Sequence, residues 1–185
     1  MTVKKSMRYF CLLLFCWLII VSQMRLSSAA PFSINPLKVA YIYNIAKFTR
    51  WPETTWASPN APFQLCFYDK SGMAKGLQTL QQKEINGHPI VLIEAKQESD
   101  FQQCNAFYID TSERSRYRYL LSLIDQKTVL IISDESPFFV HGGLVNLVEK
   151  DQRLRFQVNM QQLTLSQLKF SSKLLKLAII VDNPG

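Results

Sequence analysis

Cys66 and Cys104 are the residues of this chain whose chemistry is easiest to name. The other two cysteines, Cys11 and Cys16, lie in an apolar N-terminal run that leaves with a leader segment. An even pair delivered to an oxidising compartment most simply forms a disulfide. That bridge would be worth about 4 kcal/mol in the chain-entropy model, before any strain is counted. It would act either as a structural staple or as a redox-responsive link whose loss loosens the domain; the second role needs access or strain.

Little else in the sequence assembles into a reactive set. There is no Gly-x-Ser-x-Gly elbow and no glycine-rich phosphate loop ahead of a helix. The two histidines read as loop residues, His88 beside Pro89 at the start of a strand and His141 before a Gly-Gly turn. No combination of His, Cys and acidic residues has zinc-site spacing, so neither a metal nor another cofactor is expected. Asp134 and Glu135 follow a strand end, where α/β proteins often place ligand sites. With no partners in sequence, they read as caps for the next short helix. A binding or regulatory protein is favoured over an enzyme.

Those residues must be positioned by an exported domain. Lys4, Lys5 and Arg8 form a basic n-region, Tyr9 to Val21 an apolar h-region too short for a membrane span, and Ser27-Ser28-Ala29 a small-residue cleavage site. The reading is a signal peptide over 1–29 and one domain over 30–185, destined for a bacterial periplasm. The net charge of +7 is then partly a targeting effect, because Lys4, Lys5, Arg8 and Arg25 all lie in the leader. Arg114, Arg116 and Arg118 are the only local basic cluster, read as a solvated helix face rather than a nucleic-acid surface.

Short apolar strands alternating with short helices predict a mostly parallel α/β sheet. Strands are expected at Phe63–Tyr68, Pro89–Ile93, Ala106–Ile109 and Thr128–Ile132. Helices are expected at Met73–Leu80, opened by Ser71-Gly72, at Phe101–Cys104, and at Ser115–Leu123, capped by Thr111 or Ser112. Then the pattern changes. Leu154, Phe156 and Val158 alternate with Arg153, Arg155 and Gln157, so the sheet should end in an antiparallel hairpin of Leu144–Val148 and a strand from Arg153. Glu149–Gln152 would form its turn, and short helices are expected at Met160–Leu165 and after Ser171-Ser172.

The segment Lys38–Pro52 is the most unusual. Asn35 and Pro36 are good opening residues for a helix. Leu37, Ala40, Tyr41, Asn44, Ile45 and Phe48 fall on one face. Yet Val39, Ile42, Tyr43 and Ala46 make the opposite side apolar too. A helix apolar all round needs more than one cover, from its own chain or from a partner.

Together these segments resemble one family. Lys38-x-Ala40-Tyr41-x-Tyr43-Asn44, Lys47-Phe48 and Trp51-Pro52 are similar to the opening motif of the YfiR family of periplasmic proteins. Phe63–Cys66, Ile85-Asn86-Gly87-x-Pro89-Ile90, Ile131–Asp134, Gly142–Asn146, Arg153–Phe156 and Ser171–Ala178 follow in the family's order. The resemblance implies a single-domain three-layer α/β/α sandwich that commonly dimerises, and a disulfide between Cys66 and Cys104. Gln167 stands where a helix-ending glycine is expected, and a second cysteine pair found in some relatives is absent.

The resemblance also implies a repressor that binds the periplasmic sensory domain of an inner-membrane diguanylate cyclase. An outer-membrane lipoprotein, or a reducing change, would withdraw the restraint, letting cyclic di-GMP rise and favouring biofilm. Such a repressor needs an apolar patch rimmed by charge. Trp51, Phe138, Phe139 and Lys173 are the candidate partner-binding residues, with core packing the alternative for the aromatics. The competing function is a periplasmic small-ligand module serving a sensor kinase or receptor through the sheet edge near Asp134.

Overall fold

Strands that are apolar on both sides can only lie in a sheet covered twice. A computed structural model, which describes residues 35–68, 72–110, 114–135 and 138–182, has that arrangement. The leader expected at 1–29, the residues 30–34, Ser71 and the expected caps Thr111 and Ser112 lie outside the described residues. The chain runs α1 (Asn35–Lys47), β1 (Thr49–Arg50), β2 (Phe63–Tyr68), α2 (Ala74–Leu77), β3 (Glu84–Ile85), β4 (His88–Glu94), α3 (Glu98–Phe101) and β5 (Ala106–Ile109). It continues with α4 (Arg114–Ser122), β6 (Leu130–Ser133), β7 (Val145–Lys150), β8 (Arg153–Asn159), α5 (Met160–Leu165), β9 (Lys169–Phe170), α6 (Ser172–Leu177) and β10 (Ile179–Val181).

The main sheet has eight strands in the order β10-β8-β7-β6-β5-β2-β4-β3. Neighbours are parallel except β7 with β8 and β3 with β4. Alternate residues feed two cores. Leu65, Ala106, Tyr108, Leu130 and Ile132 pack on one face with Ile42 and Ile45 of α1, Leu77 of α2 and Leu174 of α6. Cys66, Phe107, Ile109 and Ile131 pack on the other with Phe101 of α3 and Tyr117, Leu120 and Leu121 of α4. This is a single-domain three-layer α/β/α sandwich with a mixed, mostly parallel sheet.

Several details differ from the sequence-based expectation. The β7–β8 hairpin forms, but it does not end the sheet. Chain after α6 returns as β10 and pairs parallel to β8, Ile180 opposite Val158. The hairpin turn is shorter than Glu149–Gln152. Both strands run to the two-residue loop Asp151-Gln152, whose residues sit at φ 52° and 57°; that left-handed pair suits the twist of the flanking strands. The connector helix lies at Glu98–Phe101 rather than Phe101–Cys104, because Gln97 and Asp100 form a capping box at its start. Gln167 needs no glycine-like conformation. Its N–H donates to Lys127 O at 2.8 Å, which ties the α5–β9 turn to the loop before β6.

The first helix stops at Lys47, and Thr49–Arg50 is extended. Its buried residues are Val39, Ile42, Ile45 and Ala46, so the sheet covers mainly the side opposite the Leu37–Phe48 face. Leu37, Ala40, Asn44 and Phe48 are exposed. A helix with apolar residues on every side carries no strong rotational preference of its own, and the sheet selected the face with Ile42.

Cys66 and Cys104 are disulfide-bonded, with Cα atoms 5.7 Å apart. Cys66 lies in β2 and Cys104 just before β5, so the bond staples two adjacent parallel strands on the α4 side. Both cysteines are buried. Replacing both by serine should cost about 2–4 kcal/mol, read as a lower urea midpoint with an unchanged slope. An unchanged midpoint would show that the staple carries no stability.

Gly143 has a different constraint. A Cβ there would lie 2.2 Å from the Phe138 ring, which is itself fully buried. Gly143→Ala should therefore destabilise the fold by about 1–3 kcal/mol, measured as a fall in thermal midpoint. Gly72→Ala, which meets no atom but sits at φ 85°, separates backbone strain from this clash.

Candidate functional site

The outer face of α1 is only partly covered. Tyr41, Asn44, Ile45 and Phe48 of this segment form one wall of a half-open groove of about 370 Å³. Arg155 and Phe156 of β8 form its floor, and Lys173, Leu174 and Leu177 of α6 the opposite wall. The volume lies within the range of small-molecule and anchor-residue sites. Its lining is mostly apolar, and among the described residues its charged members are the cations Arg155 and Lys173, with no carboxylate.

Local geometry explains why the groove keeps its shape. Thr49 and Arg50 pair antiparallel with Phe170 and Lys169, a two-stranded ribbon separate from the main sheet. Ser171 N–H donates to Phe48 O at 3.0 Å, and the Ser171 hydroxyl accepts from Leu174 N–H at 3.2 Å as the cap of α6. The end of α1 and the start of α6 are thus held by one clip. On the floor, Tyr41 donates its hydroxyl to Leu154 O at 2.8 Å and meets Phe156 edge-on at 6.1 Å. Above this rigid base, Phe48 is 40% and Leu177 71% exposed.

Of the partner-binding candidates, only Lys173 reaches this surface. Trp51 is buried, packs edge-on against Phe63 at 5.1 Å and donates its indole N–H to Asn105 O at 3.2 Å. Phe138 is buried against Tyr117, and Phe139 beside it is also internal. These three aromatics serve the chain's own packing and are corrected from surface to core. His88 is corrected as well, since it opens β4, is buried and stacks on Trp56 at 3.7 Å. The residues missed from sequence were Tyr41, Asn44, Phe48 and Leu177. The surplus apolar residues of α1 were their signal, but that signal did not identify the exposed side.

The sheet's carboxyl edge holds the second cluster of charge. Carboxylate oxygens of Asp110, Asp134 and Glu135 lie within 4.8 Å of one another, close enough to share a cation. Asp134 does not cap a helix as expected. It forms an ion pair with Lys38 of α1 and accepts a hydrogen bond from Tyr108 at 3.1 Å. Nearby, the Tyr117 and Ser133 hydroxyls are hydrogen-bonded at 2.6 Å. Burial pushes the Tyr117 phenol well above its usual range, and the charges of Glu135, Asp134 and Asp110 add to that. The Lys38 ammonium neutralises the best placed carboxylate, so this edge works as a polar latch between α1 and the sheet.

Comparison with known proteins accords with this architecture. A crystal structure described as a conserved domain protein from Vibrio cholerae O1 biovar El Tor strain N16961 superposes with a TM-score of 0.51 at 13% identity. The match covers 80% of this chain and 60% of that one, so this chain spans less than two thirds of its neighbour's length. At that identity the likeness is one of fold. A family model described as YfiR/HmsC-like matches residues 35–179, from the first residue of α1 to the first of β10. The chain belongs to the YfiR/HmsC-like family.

Proposed function

We propose that this protein is a periplasmic regulator that binds the sensory domain of an inner-membrane diguanylate cyclase, holds it inactive and lowers cyclic di-GMP. The observation that carries the reading is the family match over residues 35–179. No helix among the described residues is long and apolar enough to cross a membrane. Export would follow cleavage after Ala29, and an outer-membrane lipoprotein would act as the relieving partner.

The groove between α1 and α6 supports the reading and narrows the partner's chemistry. An apolar floor with Lys173 and Arg155 at its margin favours an apolar segment flanked by carboxylates. Binding there represses only if the inactive form of the cyclase presents that segment better than the active form does. A homodimer, which the family resemblance implies, would use another face. Apposing this groove with its own copy sets one cationic rim against another.

Deleting the gene should raise cellular cyclic di-GMP, and the purified protein should recover a membrane partner carrying a cyclase domain. Leu177→Glu and Lys173→Glu alter exposed side chains and should leave the thermal midpoint unchanged. Each should weaken partner capture about tenfold, or about 1.4 kcal/mol, and raise cyclic di-GMP toward the deletion level. Unchanged cyclic di-GMP on deletion, with no membrane partner recovered, would sink the proposal.

A further inference from the structure

A second cavity, of about 400 Å³, opens at the opposite edge of the sheet from the Lys38–Asp134 latch, among the residues that lead into β2, β5 and β6. Its composition differs from that of the groove. The lining includes Thr54, Thr55 and Trp56, the carboxamide-bearing residues Gln64, Gln102, Gln103 and Asn105, and, among the described residues, no charged one. We propose that this cavity binds a neutral saccharide of one or two rings.

The chemistry follows from what the lining can and cannot satisfy. An ion would find no counter-charge there. An apolar ligand would strip water from several carboxamides and return no hydrogen bonds. A sugar ring offers hydroxyls that each donate and accept, and a carboxamide offers both functions on one planar group. It also offers a C–H face, for which an indole is a suitable platform.

The structure holds that platform and those amides in place. Trp56 stacks on His88 at an interplanar angle of 9°, and His88 Nδ1–H donates to Ala61 O at 2.6 Å. Asn105 spends its Oδ1 on Gln64 N–H at 2.7 Å, while its backbone N–H and C=O are bonded to Gln64 and Leu130. Its amide nitrogen is thereby fixed and makes no bond within the described residues. The site also touches Cys104, so an occupant would rest on the segment stapled to β2.

The inference is independent of the cyclase reading and is tested on the purified protein alone. Titration with N,N′-diacetylchitobiose and with maltose, followed by ¹H–¹⁵N NMR, should shift the Trp56 indole and Gln102 and Gln103 carboxamide signals. Saturation is expected at millimolar concentration or below for at least one of the two sugars. The double variant Gln102→Ala/Gln103→Ala removes exposed amides and should keep the wild-type thermal midpoint while weakening binding about tenfold. Glucuronate, matched in ring size but anionic, should bind at least tenfold more weakly than the better sugar. Retention on chitin or amylose beads as well would assign a polymeric glycan rather than a free sugar. Three results would each overturn the proposal. They are no shift with either sugar, equal affinity for glucuronate, or a double variant that binds as the wild type does.

Discussion

Burial of the central strands on both faces is the constraint from which the rest of this structure follows. Every residue of β5 and of β6 is buried, so neither face can be left to solvent. The helices must therefore divide between the two sides, α1, α2, α5 and α6 on one and α3 and α4 on the other. Side chains that alternate along a strand then serve different cores, which is why Cys66 and Leu65 never compete for space. The Cys66–Cys104 staple belongs wholly to the α4 side. The groove belongs wholly to the other.

The same constraint accounts for the uncovered face of α1. The sheet can take only one side of a helix, and it takes the stripe of Val39, Ile42, Ile45 and Ala46. The helix is then fixed at both ends, by the Lys38–Asp134 pair near its start and the β1–β9 ribbon after its end. Pinned in this way, it cannot turn Phe48 inward. The ribbon also brings α6 alongside, so the exposed apolar residues of two elements face a shared space. A candidate surface is left here as the remainder of a packing solution, with the cations Arg155 and Lys173 in its lining.

Much of the architecture was legible because strand and helix signals are local. Phe63–Tyr68 and Ala106–Ile109 were located to the residue, and Asn159 and Ser171 cap their helices by hydrogen bonds that need only neighbouring residues. The β10 strand was not legible. Ile179–Val181 is three residues long and becomes a strand only because β8 offers it an open edge. Trp51, Phe138 and Phe139 were read as surface candidates because an aromatic at a loop or turn looks alike whether it faces inward or outward. Gly143 decides the matter for Phe138, since the absence of its side chain makes the room the ring occupies.

The division between the two kinds of information is physical. Sequence alone determined most element types, the parallel core, the hairpin and the paired cysteines, which depend on periodicity, capping and composition, and it carried the motifs of the family resemblance. Tertiary structure alone decided which side of α1 faces the sheet, which aromatics are internal, and that carboxamides distant in sequence line one uncharged cavity. An apolar helix with no weak side has no orientation until a second surface selects one. A cavity has no chemistry until strand order brings its residues to the same edge.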